Sequence, residues 1–504
     1  MKTITKTIDE LPSSLSESHK LILSLQQELA AEKVKYGYLI EQIRLAKQER
    51  FASSSEKNIY QADLFDEAGI ESEEIGEPQE TIEIKNYSRK KHPIRKPLPF
   101  DLPREKIIHD ISDSEKLCAC GVHLSRIGEE ITEQLKFIPA SLSVIQHVRY
   151  KYACKPCQET VRIAPMPILL LPKTNATPEL VAHTIISKYA DHLPLYRQSK
   201  IWQRVDVDLP RSTLCSWLLS VSELCEPLIA LAHKMLLTEN YIQADESPIQ
   251  VLKEPDRKDT SKSYLWVYRG GGTVIFDYQE TRGGYHAEAF LKDFKGFLQT
   301  DAYSGYHFVE KNSDIISVGC MAHARRPFAQ LAKLAKKEGL AVQALHYFKK
   351  LYDIEADARN KQLSHSERYV LRNEKSPLIL EELKDWLLSH LTKLPKQHQM
   401  GKAMNYVLNH WSALTSYLKN GSLEIDNNII ENLIRPLALG RKNFLFMGSP
   451  KGAKAGATFY SLIATCVENK VDPYRYFCAM LNQIRHCKKE QDYQLLLPQN
   501  IILN

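Results

Sequence analysis

Three acidic residues stand where a chain could gather negative charge. Asp245 closes a strand-like run in Gln243-Ala244-Asp245-Glu246-Ser247-Pro248, and Asp301 closes another in Leu298-Gln299-Thr300-Asp301. If the two strands are parallel neighbours, both carboxylates emerge at one edge of a sheet, where they repel unless a hard cation such as Mg²⁺ or Mn²⁺ lies between them. The third acid, Glu431, falls in a helical stretch predicted at about 425–435. Helical spacing puts Ile429, Ile430, Leu433 and Leu437 on one face and Asn427, Asn428, Glu431 and Arg435 on the other, so Glu431 is expected to look out of the core. A third carboxylate would complete a site for two ions and an in-line phosphoryl displacement. Glu424 and Asp426 are the nearest acids that could take its place. Taken singly, each of these acids reads better as a strand-end or surface residue than as a ligand.

A second set of residues points to a softer metal. Cys118-x-Cys120 and Cys154-x-x-Cys157 offer four thiolates in two close pairs, the number and softness that tetrahedral Zn²⁺ requires. His109, His123 and His147 stand nearby as substitutes. Four thiolates leave no open position for water, so this zinc would be structural. Cys320 and His323 form a half-site without partners in the sequence, which equally describes a packed thiol beside a hydrogen-bonded imidazole.

These residues need elements to position them. Strand patterns run over 241–245, 263–269 and 273–278, the last two separated by Gly270-Gly271-Gly272; a helix at 286–294 follows, then strands at 296–301 and 314–319. Three strands, a helix and two further strands predict a mixed α/β sheet. Beyond Arg326 the pattern is helical to about Leu418, as an inserted subdomain would be. Thr177-Pro178-Glu179 and Pro210-Arg211-Ser212-Thr213 each open a helix, and the pair is compatible with either a DNA-reading helix-turn-helix or plain packing. Near the N-terminus, Ile22, Leu25, Leu29, Tyr36, Leu39, Ile43 and Ala46 fall on one heptad seam, interrupted by Glu32. That seam suits a coiled coil pairing two chains, or a helix packed on its own domain. An acidic linker from 63 to 83 then gives way to Lys85, Arg89, Lys90, Lys91, His92, Arg95 and Lys96, which can lie along phosphates or stay solvated.

In combination these motifs resemble one family. Asp245-Glu246-Ser247-Pro248, the stretch from Leu298 to Tyr306, Gly319-Cys320-Met321-Ala322-His323-Ala324-Arg325-Arg326, and the run from Ile425-Asp426-Asn427-Asn428 through Glu431 and Arg435-Pro436 to Gly440-Arg441-Lys442-Asn443-Phe444 are similar to the transposases of the insertion sequence 66 family. Leu193-Pro194-Leu195-Tyr196-Arg197 and Ser461-Leu462-Ile463 fall in the family's order as well. The resemblance implies a DDE transposase: an α/β, ribonuclease-H-like catalytic core interrupted by an all-helical insertion, with Asp245, Asp301 and Glu431 as its metal-binding triad and two Mg²⁺ or Mn²⁺ ions. Cys320, His323 and Asn428 would support that site, and Arg325, Arg326, Arg435, Arg441 and Lys442 would meet DNA phosphates. The implied partners are element ends, target DNA, a second copy through the coiled coil, and accessory proteins of the same element. A zinc-containing DNA-binding protein without catalysis and a plain metal-dependent nuclease remain as rival readings.

Length and composition set outer bounds. The chain has 504 residues, 43% of them hydrophobic, enough for several cores and too many for a disordered chain. Lys and Arg number 67 against 61 Asp and Glu, so the excess matters only by its location. No apolar run approaches the ~20 residues of a membrane span and no apolar signal core opens the chain, so a cytoplasmic, DNA-associated protein with ten reduced cysteines is expected. The expected layout is an N-terminal coiled coil (1–60), a linker (61–100), a zinc module (101–172) and a helical DNA-binding region (173–237). The first part of the core (238–330), the helical insertion (331–423), the last core helix with a basic turn (424–450) and C-terminal helices (451–504) complete it.

Overall fold

The computed structural model describes residues 176–503 apart from 335–338 and 395–397, together with 16, 18–29, 32, 33, 36, 40, 144–147, 151–153, 161–163, 167–172 and 174. Cys118, Cys120, Cys154 and Cys157, the basic stretch 85–96 and the seam residues Leu39, Ile43 and Ala46 lie outside the described residues. Residues 18–29 are helical, and Ile22, Leu25, Leu29 and Tyr36 of the seam are exposed. The chain divides into two compact units, 72–167 and the remainder. In the smaller one, β1 (Lys151–Ala153) pairs antiparallel with β2 (Val161–Ile163).

The larger unit is mixed α/β, built on a five-stranded sheet. Its strands are β3 (Tyr241–Gln250), β4 (Lys262–Gly270), β5 (Thr273–Gln279), β6 (Gly296–Gln299) and β7 (Ile315–Val318), in the order β5-β4-β3-β6-β7. The first three make an antiparallel meander, and β6 and β7 run parallel to β3. Aromatic and β-branched residues make these strands: Leu265, Trp266, Val267 and Tyr268 in β4 and Val274, Ile275 and Phe276 in β5 are all buried. Gly271 and Gly272 turn the β4–β5 hairpin with φ of +54° and +76°, the pair of left-handed residues that a two-residue hairpin loop needs.

Helices cover the sheet. Four precede it, α1 (Pro178–Tyr189), α2 (Leu195–Gln203), α3 (Arg211–Leu224) and α4 (Glu226–Leu237), and α5 (Gly284–Phe290) links β5 to β6. As its sequence predicts, α1 opens with Thr177 as N-cap and Pro178 in the first turn, the Thr177 hydroxyl accepting from the Leu180 amide. Leu214, Trp217, Leu218 and Val221 of α3 join the sheet core, while Arg211, Ser212, Cys215 and Ser216 face out. Among the described residues no single helix is long and apolar enough to cross a membrane; α3 and α4 together pass on length and composition but bend by 48°, and their apolar faces are in the core.

A helical block follows β7: α6 (Met321–Leu334), α7 (Leu340–Asn360), α8 (His365–Leu391), α9 (Gln399–Asn409) and α10 (Trp411–Thr415). It has a core of its own, in which Phe328, Phe348, Leu383, Leu387 and Met404 pack with Leu423 and Ile425. The chain then returns to the sheet as α11 (Asn428–Phe444), followed by α12 (Pro450–Glu468), α13 (Pro473–Gln483) and α14 (Glu490–Leu495). The last core helix thus starts three residues later than expected and runs on through Pro436 and Gly440, so Arg441 and Lys442 occupy its final turn rather than a loop. Cations there complement the helix dipole, and burial of Ile430, Ile434 and Leu437 holds the helix across the proline. Edge strand β5 is closed off by α12, whose Ser461 and Thr465 hydroxyls accept from the Phe276 and Val274 amides at 2.8 and 3.0 Å.

Candidate active site

Strand pairing decides where the first two acids lie. The parallel register of β3 on β6 sets Tyr241 beside Phe297 and Gln243 beside Gln299; Asp245 and Asp301 each follow two residues on, near enough for the Asp301 charge to act on Asp245. Neither acid ends a strand, contrary to expectation. Asp245 lies in the middle of a ten-residue strand, and Asp301 lies two residues beyond β6. The reason is that β3 keeps its antiparallel partner β4 as far as Gln250, while its parallel partner stops at Gln299. Where β6 leaves, β3 has a strand neighbour on one side only, a setting in which Pro248 is tolerated.

The loop carrying Asp301 is tightly held. The Tyr303 amide donates to Asp301 Oδ1 at 3.0 Å, and the Tyr406 hydroxyl from the helical block donates to the Asp301 carbonyl at 3.1 Å. Ala302 follows with φ of +65°, a left-handed conformation that costs a residue with a Cβ about 1–3 kcal/mol and persists only where neighbours enforce it.

Below the acids runs a buried polar chain that sequence reasoning missed. Gln243 and Gln299 are fully buried, and Gln243 Nε2 donates to Gln299 Oε1 at 3.0 Å. The Tyr241 hydroxyl donates to the same oxygen. Gln299 Nε2 donates in turn to the carbonyls of Gly319 (3.2 Å) and Glu424 (2.9 Å). On the other side Arg269 donates to Gln243 Oε1 at 2.8 Å and to Glu468. This chain ties β4, β3 and β6 to the segment that leads into α11. Asn427, also fully buried, adds a clamp: its Nδ2 donates to the Ala244 carbonyl at 3.0 Å and its amide to Cys320 Sγ at 3.2 Å. The only sequence sign of these residues is a break in the apolar run of each strand or helix start.

Glu431 is placed by that clamp, one helical turn beyond Asn427. It does not look out of the core: it is 6% exposed, since α11 packs on β3 and Glu431 itself lies against His323 and Arg326 at the start of α6. Its Oε1 lies 3.7 Å from His323 Nδ1 and its Oε2 3.9 Å from Arg326 Nη2. Cys320, His323 and Glu431 present ligand atoms that all lie within 4.8 Å of one another. The neighbouring acids are engaged elsewhere. Glu424 receives Arg368 at 2.7 and 2.9 Å, and Asp426 receives the Tyr352 hydroxyl at 2.8 Å and the Asn428 side chain at 3.1 Å.

Electrostatics link the three acids. Burial pushes the Asp245 carboxyl well above its ordinary range, and the charges of Glu246, Asp301 and Glu431 push it further. Glu246, on the opposite face of β3, is raised to about 7 by burial and by Asp301, against the lowering pull of Arg282. Arg282 Nε donates to Glu246 Oε1 at 2.7 Å and its guanidinium lies 3.7 Å from the Tyr303 ring, while the Tyr306 hydroxyl donates to Glu246 Oε2 at 3.1 Å. Neither Glu246 nor Arg282 was singled out from sequence. Carboxylates that converge on a buried Asp245 are a donor set suited to hard divalent cations, so the residues fit the Mg²⁺ or Mn²⁺ expected of them.

The basic residues divide in two. Arg326 is at the site, and Arg325 is close enough to act electrostatically on the buried Tyr352. Arg441 is anchored to β3, donating to the Pro248 carbonyl, whereas Lys442 is exposed and Arg435 partly so.

Comparison with known proteins matches this organisation. Residues 173–455 match the family described as Transposase IS66 family, and 115–158 match its zinc-finger binding domain. Residues 461–499 match the IS66 C-terminal element, and 38–107 match a segment described as Transposase C of IS166 homeodomain. An uncharacterized protein of Sinorhizobium fredii, y4jD, is 33% identical over 403 residues, covering 77% of this chain and 78% of that protein. Two more uncharacterized S. fredii proteins are similar: y4hP at 30% identity, covering 82% and 78%, and y4qI at 29%, covering 99% and 91%.

Proposed function

The chain belongs to the IS66 family of transposases, and on that premise we propose that it is the DDE-type enzyme that cuts and joins the ends of its own insertion sequence. Asp245, Asp301 and Glu431 are its metal-binding triad. What supports this reading is the β3–β6 pairing, which ends two residues before both Asp245 and Asp301, together with the charges of Asp301 and Glu431 acting on Asp245. Three antiparallel strands followed by two parallel to the first, with α11 laid on β3, support a ribonuclease-H-like core.

In the first step water attacks the phosphodiester at the element end; a P–O bond to water forms, the bond to O3′ breaks, and the 3′-oxygen leaves with a proton. In the second, that 3′-hydroxyl attacks a target phosphate and displaces the target's own O3′. Two bound Mg²⁺ or Mn²⁺ ions would supply charge stabilisation to the entering and leaving oxygens of each displacement. The chain's residues do the positioning. Gln243, Gln299 and Asn427 hold the three acid-bearing segments in register, and the Tyr303 amide and Tyr406 hydroxyl orient the Asp301 loop. Arg325, Arg326, Arg435 and Lys442 meet DNA phosphates, so binding weakens steeply as salt rises. The zinc module, the 85–96 stretch and the outward face of α3 around Arg211 recognise element ends, and the N-terminal helix pairs protomers.

The test is movement of a marked element in cells supplied with all the element's proteins. Asp301→Asn and Glu431→Gln each reduce transposition on the order of a thousandfold or more at matched protein level, while binding to element ends survives. Persistence of movement in either variant removes that residue from the triad. Joining of a supplied 3′-hydroxyl end to target DNA separates a transposase from a nuclease, which yields cleavage alone.

A further inference from the structure

The half-site at Cys320 and His323 finds its third donor in the fold. Cys320 immediately precedes α6 and His323 sits three residues on, so the two face the same side of the helix start. Onto that side α11 brings Glu431, and sulfur, imidazole nitrogen and carboxylate oxygen then lie within 4.8 Å of one another. The set is sheltered, with Cys320 2% and Glu431 6% exposed. It is also preset: the Asn427 amide fixes Cys320 Sγ at 3.2 Å, and Arg326 lies by Glu431 Oε2 while Oε1 faces His323.

We propose that Cys320, His323 and Glu431 bind a thiophilic divalent cation of the Zn²⁺ or Co²⁺ class. One sulfur, one nitrogen and one oxygen donor match the preference of such ions and poorly suit Mg²⁺, which takes oxygen ligands. Three protein ligands leave one position open, the arrangement of reactive rather than structural zinc sites. The site shares Glu431 with the triad, so a thiophilic ion and the triad's hard cations compete for that carboxylate. The proposal itself does not depend on catalysis, because it follows from the three donors alone.

The test uses the full chain with its four-thiolate module zinc-loaded and more weakly held zinc removed by a chelator, confirmed at one zinc per chain, then titrated with Co²⁺ and read by the near-ultraviolet thiolate-to-cobalt charge-transfer band. The wild-type chain gains this band; Cys320→Ser does not, with an unchanged circular dichroism spectrum. Cys154→Ser keeps the band, which separates this site from the zinc module. His323→Ala retains the thiolate but weakens Co²⁺ binding by at least about tenfold, and it decides the matter should Cys320→Ser fail to fold. No band in the wild type, a band of equal size in Cys320→Ser, or unchanged affinity in His323→Ala overturns the proposal. None of these readouts involves DNA cleavage, so they stand or fall apart from the transposase reading.

Discussion

Two buried groups of carboxylates, one in the helical block and one at the sheet, are built on opposite terms. In the helical block Glu355 is 1% exposed and takes four hydrogen bonds, two from Arg368 at 2.9 and 3.0 Å and two from Arg372 at 2.7 and 2.8 Å. Arg368 continues to Glu424, and Arg372 to the carbonyls of Tyr417 and Asn420, both at 3.2 Å. Charge there is matched inside the protein, and burial, which would raise the Glu355 carboxyl, is outweighed by the two arginines, which hold it below its ordinary range. At the sheet, burial and the charges of Glu246, Asp301 and Glu431 drive the Asp245 carboxyl up. Saturated pairs shape a fold; like charges gathered on a rigid sheet describe a ligand of opposite sign.

The sharpest way to break this contrast is to neutralise one acid from each cluster and compare denaturant midpoints. Glu355→Gln leaves Arg368 and Arg372 buried without their shared partner and lowers stability by about 3–5 kcal/mol. Asp245→Asn, measured without Mg²⁺, leaves stability unchanged or raises it, because it removes a repelled charge. A loss in Asp245→Asn as large as that in Glu355→Gln would make the sheet cluster a structural network like the other.

A smaller effect is expected one layer below the acids. Gln299→Leu strands the Gln243 amide and the Glu424 carbonyl, at a cost of about 1–3 kcal/mol. Since the same hydrogen bonds tie β3, β6 and the segment leading into α11 beneath the acids, the folded variant loses more strand-transfer activity than element-end binding. An equal loss of both would make Gln299 a stability residue only.

The smallest and most diagnostic effect is the pH dependence. Glu355 has a depressed folded pKa, so its contribution is present above the unfolded value and is lost as pH falls through the folded one. Asp245 and Glu246 have raised folded pKa values, so their contribution is present below the unfolded values and is lost as pH rises through the folded ones, about 7 for Glu246. Without Mg²⁺, chain stability therefore declines between pH 5 and 8 by a small amount that Asp245→Asn flattens and added Mg²⁺ offsets. A flat profile in the wild type would mean that the acids do not repel.

Much of this was legible from the order of residues. Asp245 and Asp301 stood out as acids closing strand-like runs and Glu431 as an acid on the polar face of a helix, joined by the family resemblance, and the Gly270-Gly271-Gly272 hairpin followed from glycine's access to left-handed backbone. The strand ends were misjudged because a strand's length depends on which neighbour stays beside it, and β4 outlasts β6 along β3. Gln243 and Gln299 went unremarked because a glutamine in a strand looks polar and solvated until both of its faces are covered.

The sequence by itself determined the family, the chemical types at the site and the alternation of strands and helices, since periodicity and turn residues act over a few positions. Tertiary structure alone decided the rest. It buried Glu431, because an amphipathic pattern shows which face is apolar but not that a second element, the start of α6, meets one residue of the polar face. It also completed the Cys320 and His323 half-site and matched Glu355 to two arginines, because those pairings join residues that only chain return brings within a few ångströms.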